Sequence, residues 1–253
     1  MKLISFNVNG IRASVKKGLP DSILAMDADI ICFQETKATP DQVSEALAEV
    51  QGYHIAAYSA EKAGYSGTAV LSREKPMRVD HGIGGDEHNN EGRVITATFK
   101  DHIVVNAYIP NSGQGLKRLD YRQQWDNALR AYLVELASGK IPVIFTGDLN
   151  VAHQAIDIAR PKPNYNKTAG YTQAEIDGIS TLLEAGFVDT FRHFHPEVVK
   201  YSWWNQRFNS RATNVGWRID YVLVSKGFEK KVKAAFILNE IMGSDHCPVG
   251  IEW

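Results

Sequence analysis

The sequence predicts a layered α/β sandwich in which helices flank paired β-sheets, and three observations carry that prediction. Apolar, β-branched runs recur along the whole length, the mark of strands. Several are apolar at nearly every position, so both faces of those strands must be covered. Between them lie helical patterns with start signals, and no Pro/Gly/Ser-rich linker or low-complexity segment interrupts the series.

In chain order the strand runs begin with KLISFNV (2–8), ADIICFQE (28–35), GTAVLSR (67–73), RVITATF (93–99) and HIVVNAYIP (102–110). They continue with PVIFTGDLN (142–150), RIDYVLVS (218–225), VKAAFIL (232–238) and HCPVGIEW (246–253). A first helix opens at Thr39-Pro40-Asp41-Gln42, where a cap, a first-turn proline and a box-closing glutamine precede Val43, Leu47 and Val50. Trp125, Leu129, Tyr132, Leu133 and Leu136 carry a second at spacings of three and four. Thr172 and Glu175 open a third over Ile176, Ile179 and Leu183, and Gly186 stops it. SFNVNG and TGDLNV both run from an apolar strand into a polar cluster, which raises the question of two related halves. Residues 1–253 are expected to form a single domain, although length alone fits one large domain or two small ones.

A composition of 44% hydrophobic and 23% charged residues is that of a chain able to bury a large core. No apolar run reaches the length of a membrane span, and MKLISFNVNG lacks the layout of a signal peptide. A cytoplasmic protein with no membrane partner is expected. Cys32 and Cys247 can pair only once, which excludes a disulfide framework and the usual cysteine zinc spacings. The net charge of -1 argues against a uniformly basic surface and leaves room for a local basic patch.

Polar residues cluster where the strands end: Asn7 and Asn9, Glu35, Asn111, Asp148 and Asn150. Asp220 and Asp245-His246 fall near strand starts, so they join the same rim if those strands run antiparallel to the earlier ones. Any one of these alone is an ordinary turn or cap residue. Together, Glu35, Asp148, Asp220 and Asp245 place four acids beside apolar strand interiors, where unpaired charge is costly. A hard cation relieves that cost, and such oxygen donors suit Mg2+ or Mn2+ rather than zinc. His246, with Asp220 to hold its second nitrogen, is suited to donate to a phosphate oxygen or to move a proton. GYSGT lacks the final glycine of a nucleophile elbow, so metal-assisted attack of water on a phosphoester is the simplest chemistry for this set.

NVNGIR, QETK, GYSG, EGRV, AYIPN, GDLNVAH, NVGWRIDY and GSDHCP resemble, in order, the motifs of the exonuclease III family of apurinic/apyrimidinic endonucleases. The resemblance implies a four-layer α/β sandwich of two packed mixed β-sheets flanked by helices. It also implies hydrolysis of the phosphodiester 5′ to an abasic site in duplex DNA, leaving a 3′ hydroxyl, with clearing of blocked 3′ ends and 3′ to 5′ exonuclease activity at the same site. By the same resemblance a monomer bound to duplex DNA would use Glu35, Asn7 and Asp245 around Mg2+, with Mn2+ as a substitute. Asp148, held by Asn150, would orient or deprotonate water. His246, backed by Asp220, would contact the phosphate together with the Tyr108 hydroxyl, supported by Asn111.

Trp217 either fills the core or, as the resemblance implies, joins Trp203 in a pocket for a deoxyribose without its base. Basic residues lie in loops near these motifs: Arg12, Lys16 and Lys17, then Arg160, Lys162 and Lys167, then Arg207 and Arg211. Each alone reads as a solvated surface charge, and together they would grip phosphates on both sides of the lesion. The resemblance adds Tyr65 of GYSG as a DNA contact. Departures from the pattern accompany the matches. Asn9 stands where some relatives carry aspartate. Gln114 and Arg207 replace an arginine and an apolar residue that wedge the duplex. The PKPNYNKTAG segment ends in Thr168, which leaves Asn164 or Asn166 as the phosphate contact. Deoxyribonuclease I, inositol polyphosphate phosphatases and neutral sphingomyelinases share the superfold and its Asp-His pattern, so fold alone does not select the substrate.

Overall fold

The computed structural model describes residues 1–85, 88–207 and 209–253. The first part of the chain forms β1 (Lys2–Asn7), α1 (Ile11–Val15), α2 (Leu19–Met26), β2 (Ile30–Gln34), α3 (Pro40–Ala46), β3 (His54–Tyr58) and β4 (Thr68–Ser72). The middle forms β5 (Arg78–His81), β6 (Val94–Thr98), β7 (Ile103–Tyr108), α4 (Leu119–Ala137), β8 (Val143–Asp148), α5 (Pro161–Asn164) and α6 (Gln173–Glu184). The last part forms β9 (Phe187–Asp189), α7 (Thr190–Phe194), β10 (Trp203–Trp204), β11 (Gly216–Trp217), β12 (Asp220–Ser225), β13 (Ala234–Ile237) and β14 (Val249–Glu252).

Two six-stranded sheets result, in the orders β13-β14-β1-β2-β4-β3 and β5-β6-β7-β8-β12-β9, with β10 and β11 paired as a separate ribbon. In each sheet one central pair is parallel, β1 with β2 and β7 with β8, and every other neighbour is antiparallel. The two sheets therefore repeat one topology, so the halves hinted at by sequence exist as strand order. The echo that suggested them joins non-equivalent strands: SFNVNG ends β1, whose counterpart is β7, whereas TGDLNV ends β8, the counterpart of β2.

Alternation along the central strands builds the layers. Leu3, Ile30, Cys32, Val104, Ile144, Val222 and Val224 point between the sheets and share one core. Their neighbours Ile4, Phe6, Ile31 and Phe33 face the other way, onto Ile11, Ile23 and Val43 of α1, α2 and α3. Val105, Phe145, Tyr221 and Leu223 likewise meet Trp125, Leu129, Leu133 and Ile179 of α4 and α6. The four layers are helices, sheet, sheet, helices. Capping boxes form at Thr39/Gln42 and Thr172/Glu175 as the sequence signals them.

Several elements differ from the sequence reading. α3 stops at Ala46, and Val50 is buried from the turn beyond it rather than from the helix. Strands β3, β5 and β9 carry no long apolar run and lie at sheet edges, where one side needs no cover. The last strand begins at Val249, not at His246, because Pro248 offers no N–H to a ladder and the Cys247 N–H donates instead to Ser202 O at 2.8 Å. Cys32 and Cys247 are both free and buried, and burial pushes both thiols up, as befits packing groups rather than reactive ones. No helix among the described residues is long and apolar enough to cross a membrane.

Behind the rim, Arg218 is fully buried and binds Asp157 (2.8 and 3.1 Å) and Asp189 (2.8 Å), while Arg192 donates to the same Asp157 carboxylate. The Arg218 N–H also donates to Asp157 O at 2.8 Å, tying the turn at 155–157 to the entrance of β12. Burial opposes the charge on Asp157, yet Arg218 and Arg192 hold its carboxyl below the usual range. Asp157→Asn, which removes the carboxylate that Arg218 and Arg192 share and leaves Asp189 as the remaining anion at Arg218, is expected to lower stability by about 3 kcal/mol near neutral pH. Because the folded-state pKa is depressed, that contribution is complete above the unfolded value of about 4 and is lost as pH falls through the folded value. Urea unfolding of both proteins from pH 7 down to pH 3 should therefore show the gap closing below about pH 4; a gap that stays constant or widens on acidification would refute the assignment.

Candidate active site

The site grows from the inward parity of the central strands. In β1, β7, β8 and β12 the residues that share a face with the inter-sheet core become polar at one end: Ser5 and Asn7, Asn106 and Tyr108, Thr146 and Asp148, and Asp220. Because β12 runs antiparallel to β8, its first residue, Asp220, sits directly across from the last residue of β8, Asp148. Tyr108 is the parallel-strand partner of Asp148 on the other side. Gly147 permits this spacing: its φ is +143°, and a Cβ there would lie 1.8 Å from Ala107 O.

Two carboxylates facing each other across a ladder repel. His246 relieves the repulsion, with Nδ1 at 2.9 and 3.1 Å from the Asp220 oxygens and Nε2 at 3.8 Å from Asp148 Oδ2. Burial favours the neutral imidazole, but Asp220 and Asp148 outweigh it and hold the ring's pKa up to about 10. Burial pushes Asp148 up to about 7 and Asp220 adds to the rise, against the pull of His246. Both Asp148 oxygens are oriented, Oδ1 by the Asn150 N–H at 2.9 Å and Oδ2 by Asn7 Nδ2 at 2.8 Å. Asn150 thus holds Asp148 through its main chain; its side chain donates to Ile109 O and accepts from Asn111 Nδ2.

Glu35 follows β2 with its backbone in the left-handed region, at φ 51°. Tyr108 donates its hydroxyl to Glu35 Oε1. Burial, reinforced by the Glu35 charge, holds that phenol well above its ordinary pKa, so it stays a donor. Lys37 Nζ lies 3.6 Å from Glu35 Oε2 and donates to Asn9 Oδ1 at 2.6 Å. Asn9 Nδ2 in turn donates to Asp245 Oδ1 at 2.9 Å, and Trp203 Nε1 to Asp245 Oδ2 at 3.3 Å. Burial opposes charge on Asp245, but His246 and these donors bring its carboxyl below the usual range.

These groups line a cleft of about 390 Å³ whose opposite wall is Trp203, Trp217, Ile219 and Thr168-Ala169-Gly170. The two indoles meet edge to face, with centroids 6.0 Å apart and planes at 87°. Gly170 lets the chain pass under Trp217, since a Cβ would come within 3.3 Å of that ring. Trp217 is half-buried, a wall residue that also rests on Tyr171.

The cleft brings together Asn7, Glu35, Tyr108, Asn111, Asp148, Asn150, Trp203, Trp217, Asp245 and His246, with Asp220 directly behind His246. Arg12, Tyr65, Gln114, Asn164 and Arg207 are not among its lining residues. Arg12 is exposed on α1, Gln114 is exposed at the start of a short 3-10 helix and Arg207 is exposed in a turn. The Tyr65 hydroxyl accepts from Arg93 and Arg118. Asn164 closes its own loop, donating to Arg160 O at 2.7 Å and accepting from the Thr168 hydroxyl at 2.8 Å. Asn166 similarly accepts from the Gln173 N–H.

Lys37, Arg93, Arg122 and the buried amides Gln34 and Asn106 received no role from sequence. Arg93 lies over the Tyr108 ring at 4.8 Å and donates to Tyr108 O. Arg122 donates to Leu149 O and Pro110 O, bracing the chain just beyond β7 and β8. The signal for the amides was present: Gln34 and Asn106 occupy core-parity positions of apolar strands. Among the described residues, Asp148, Asp220 and His246 present metal-capable atoms within 4.8 Å of one another, so the cleft contains a candidate metal site.

The endonuclease/exonuclease/phosphatase family model matches residues 4–246. The chain is 50% identical over 251 residues to the exodeoxyribonuclease of Bacillus subtilis (strain 168), covering 98% of each. It is 46% identical over 252 residues to the DNA repair nuclease APEX1 of Danio rerio, covering 98% of this chain and 81% of that protein. The structure of an AP endonuclease from Archaeoglobus fulgidus superposes with a TM-score of 0.91 at 27% identity, covering 100% of this chain and 99% of that one. A match of this extent, together with the rim geometry, makes the chain a member of the endonuclease/exonuclease/phosphatase family.

Proposed function

We propose that this protein, as one catalytic domain over residues 1–253, is a DNA repair endonuclease. It cuts the phosphodiester 5′ to an abasic site in duplex DNA and leaves a 3′ hydroxyl and a 5′ deoxyribose phosphate. Removal of 3′ blocks and 3′ to 5′ exonuclease action use the same site. It works as a cytoplasmic monomer. The observation that carries this reading is the adjacency of a phosphate chemistry and an aromatic wall. The His246 ring, itself paired with Asp220, has its centroid 6.4 Å from that of Trp203.

Each group follows its environment. Asp148, raised to about 7 by burial, is matched to accept a proton from water near neutral pH. His246, held as imidazolium, offers Nε2–H to a phosphate oxygen on which negative charge develops. The Tyr108 hydroxyl, kept protonated, becomes a second donor when a phosphate oxygen replaces Glu35 as its acceptor. Trp203 and Trp217 accept a deoxyribose turned out of the duplex, a motion that is easier where no base remains to unstack. Arg12, Tyr65, Asn111, Gln114, Asn164 and Arg207 are candidate contacts along the DNA around the cleft.

Two donor sets compete for a divalent ion. In the Asp148–Asp220–His246 group the imidazole nitrogen nearest Asp220 is already hydrogen-bonded, which favours a proton there over a metal. Glu35, Asn7 and Asp245 are oxygen donors, and Glu35 draws the Lys37 ammonium to 3.6 Å, the behaviour of a cation-seeking position. This set fits Mg2+, with Mn2+ as a substitute, and a bound ion would supply Lewis-acid stabilisation of the phosphate charge.

Duplexes carrying a stable abasic analogue, an undamaged site or a blocked 3′ end should separate the activities. With Mg2+, incision 5′ to the analogue leaving a 3′ hydroxyl is expected; preference for undamaged DNA, or cleavage indifferent to chelator, would defeat the reading. His246→Ala and Asp148→Asn are each expected to slow single-turnover cleavage by about 10²–10⁴-fold while binding of the abasic duplex persists. Near-normal rates in both would show that the chemistry lies elsewhere.

A further inference from the structure

Arg211 belongs to the basic residues that sequence places against DNA, but its guanidinium is directed elsewhere. Nη2 donates to Asn239 O at 2.8 Å and to Ile241 O at 2.6 Å, and Nη1 donates to Ser244 O at 3.1 Å with a longer approach to His246 O at 3.5 Å. Its other contact is the Trp204 ring, 4.7 Å below the guanidinium carbon. We propose that Arg211 is a positioning residue: it holds the loop bearing Asp245 and His246 against the tryptophan wall and couples seating of the substrate on Asn205, Gln206 and Arg207 to placement of the imidazole.

The carbonyls it serves lie between the end of β13 at Ile237 and the start of β14 at Val249, where no ladder supplies N–H partners. Several carbonyls converging on one point call for a rigid, multiply donating cation, and the guanidinium fork is the side chain that provides it. The wall side of the clamp is independently fastened: Trp204 N–H donates to Asp245 O at 3.0 Å, and Trp203 bridges to His246. Asn205, Gln206 and Arg207 are exposed and directly follow Trp204, the ring on which the guanidinium that binds the imidazole's loop is stacked. A groove of about 330 Å³ opens between that segment and the imidazole's loop, lined by Gln206, Asn209 and Arg211 on one side and Met242, Gly243 and Ser244 on the other. Without the guanidinium the two loops would face each other across that groove with fewer ties.

The coupling rests on the nuclease reading, whereas the clamp does not, and the test keeps them apart. The full chain with Arg211→Met or Arg211→Lys would be compared with the wild type in three measurements. Hydrogen exchange should accelerate in peptides spanning 238–248 for Arg211→Met, with the strands unchanged. Single-turnover cleavage of an abasic-analogue duplex with Mg2+ should fall by up to about 10²-fold in kcat with KM little altered, and Arg211→Lys should recover part of the loss. The salt dependence of binding to the same duplex in chelator should keep its slope. A raised KM with kcat preserved and a slope reduced by about 0.9 would instead make Arg211 a phosphate contact and overturn the proposal. Unchanged exchange at 238–248 would overturn it as well. Failure of the wild-type protein to cut the abasic duplex would remove the nuclease reading alone, because the exchange result still decides the clamp.

Discussion

Two buried amides between the sheets determine where everything above them meets. Gln34 Nε2 donates to Asn106 Oδ1 at 2.7 Å and to Ser5 Oγ at 2.9 Å, while Asn106 Nδ2 donates to Phe33 O and Ala69 O at 3.0 and 2.9 Å. Both side chains are fully buried. A slip of one sheet over the other would strand these groups, at about 1–3 kcal/mol each, whereas an apolar contact would tolerate it. Two residues beyond Ser5 on β1 and two beyond Asn106 on β7, the same parity delivers Asn7 and Tyr108 to the rim, where Asn7 repeats the cross-sheet link by binding Asp148. Register between the sheets is therefore the condition for the cleft.

Above that seam the structure concentrates negative charge and answers it with cations placed at different depths. His246 lies between Asp220 and Asp148, Lys37 beside Glu35, and four guanidinium groups, three of them buried, brace the surrounding chain. Arg122 braces the chain after β7 and β8, Arg93 the Tyr108 ring, Arg218 the entrance to β12, and Arg211 the loop before β14. Each satisfies carbonyls or carboxylates that a strand ladder cannot reach, which is how loops at a sandwich edge are made rigid enough to hold side chains in place. The acids keep distinct environments as a result. Asp148 is raised by burial, whereas Asp245, facing the same imidazole with two further donors, is lowered.

The aromatic wall is built from a different part of the chain and docks onto this frame. The β10–β11 ribbon presents Trp203 and Trp217 at right angles, and Gly170 admits the neighbouring loop beneath them. Trp203 also donates to Asp245, so the wall and the charged floor share a hydrogen bond. Under the proposed function, a deoxyribose seated on the wall would be brought beside the imidazole, which would tie selection of the sugar to the position of the phosphate.

Periodicity and end signals in the sequence determined the central strands, the two capped helices and the helix over Trp125, because burial on both faces leaves long apolar runs and capping is chemistry within four residues. They also identified the acids and the histidine, since a charge at the end of an apolar strand is conspicuous locally. Edge strands such as Arg78–His81 and short helices such as Ile11–Val15 left no comparable mark, because half-exposed elements tolerate almost any composition. Only the tertiary structure decided which polar residues face the cleft and which are turned away. Asn164 closes its own loop, Arg211 binds carbonyls about thirty residues distant, and Tyr65 takes two arginines on its hydroxyl. The physical reason is that a side chain's role depends on which unpaired groups the fold brings within about 3 Å of it, and separation along the chain carries no information about that.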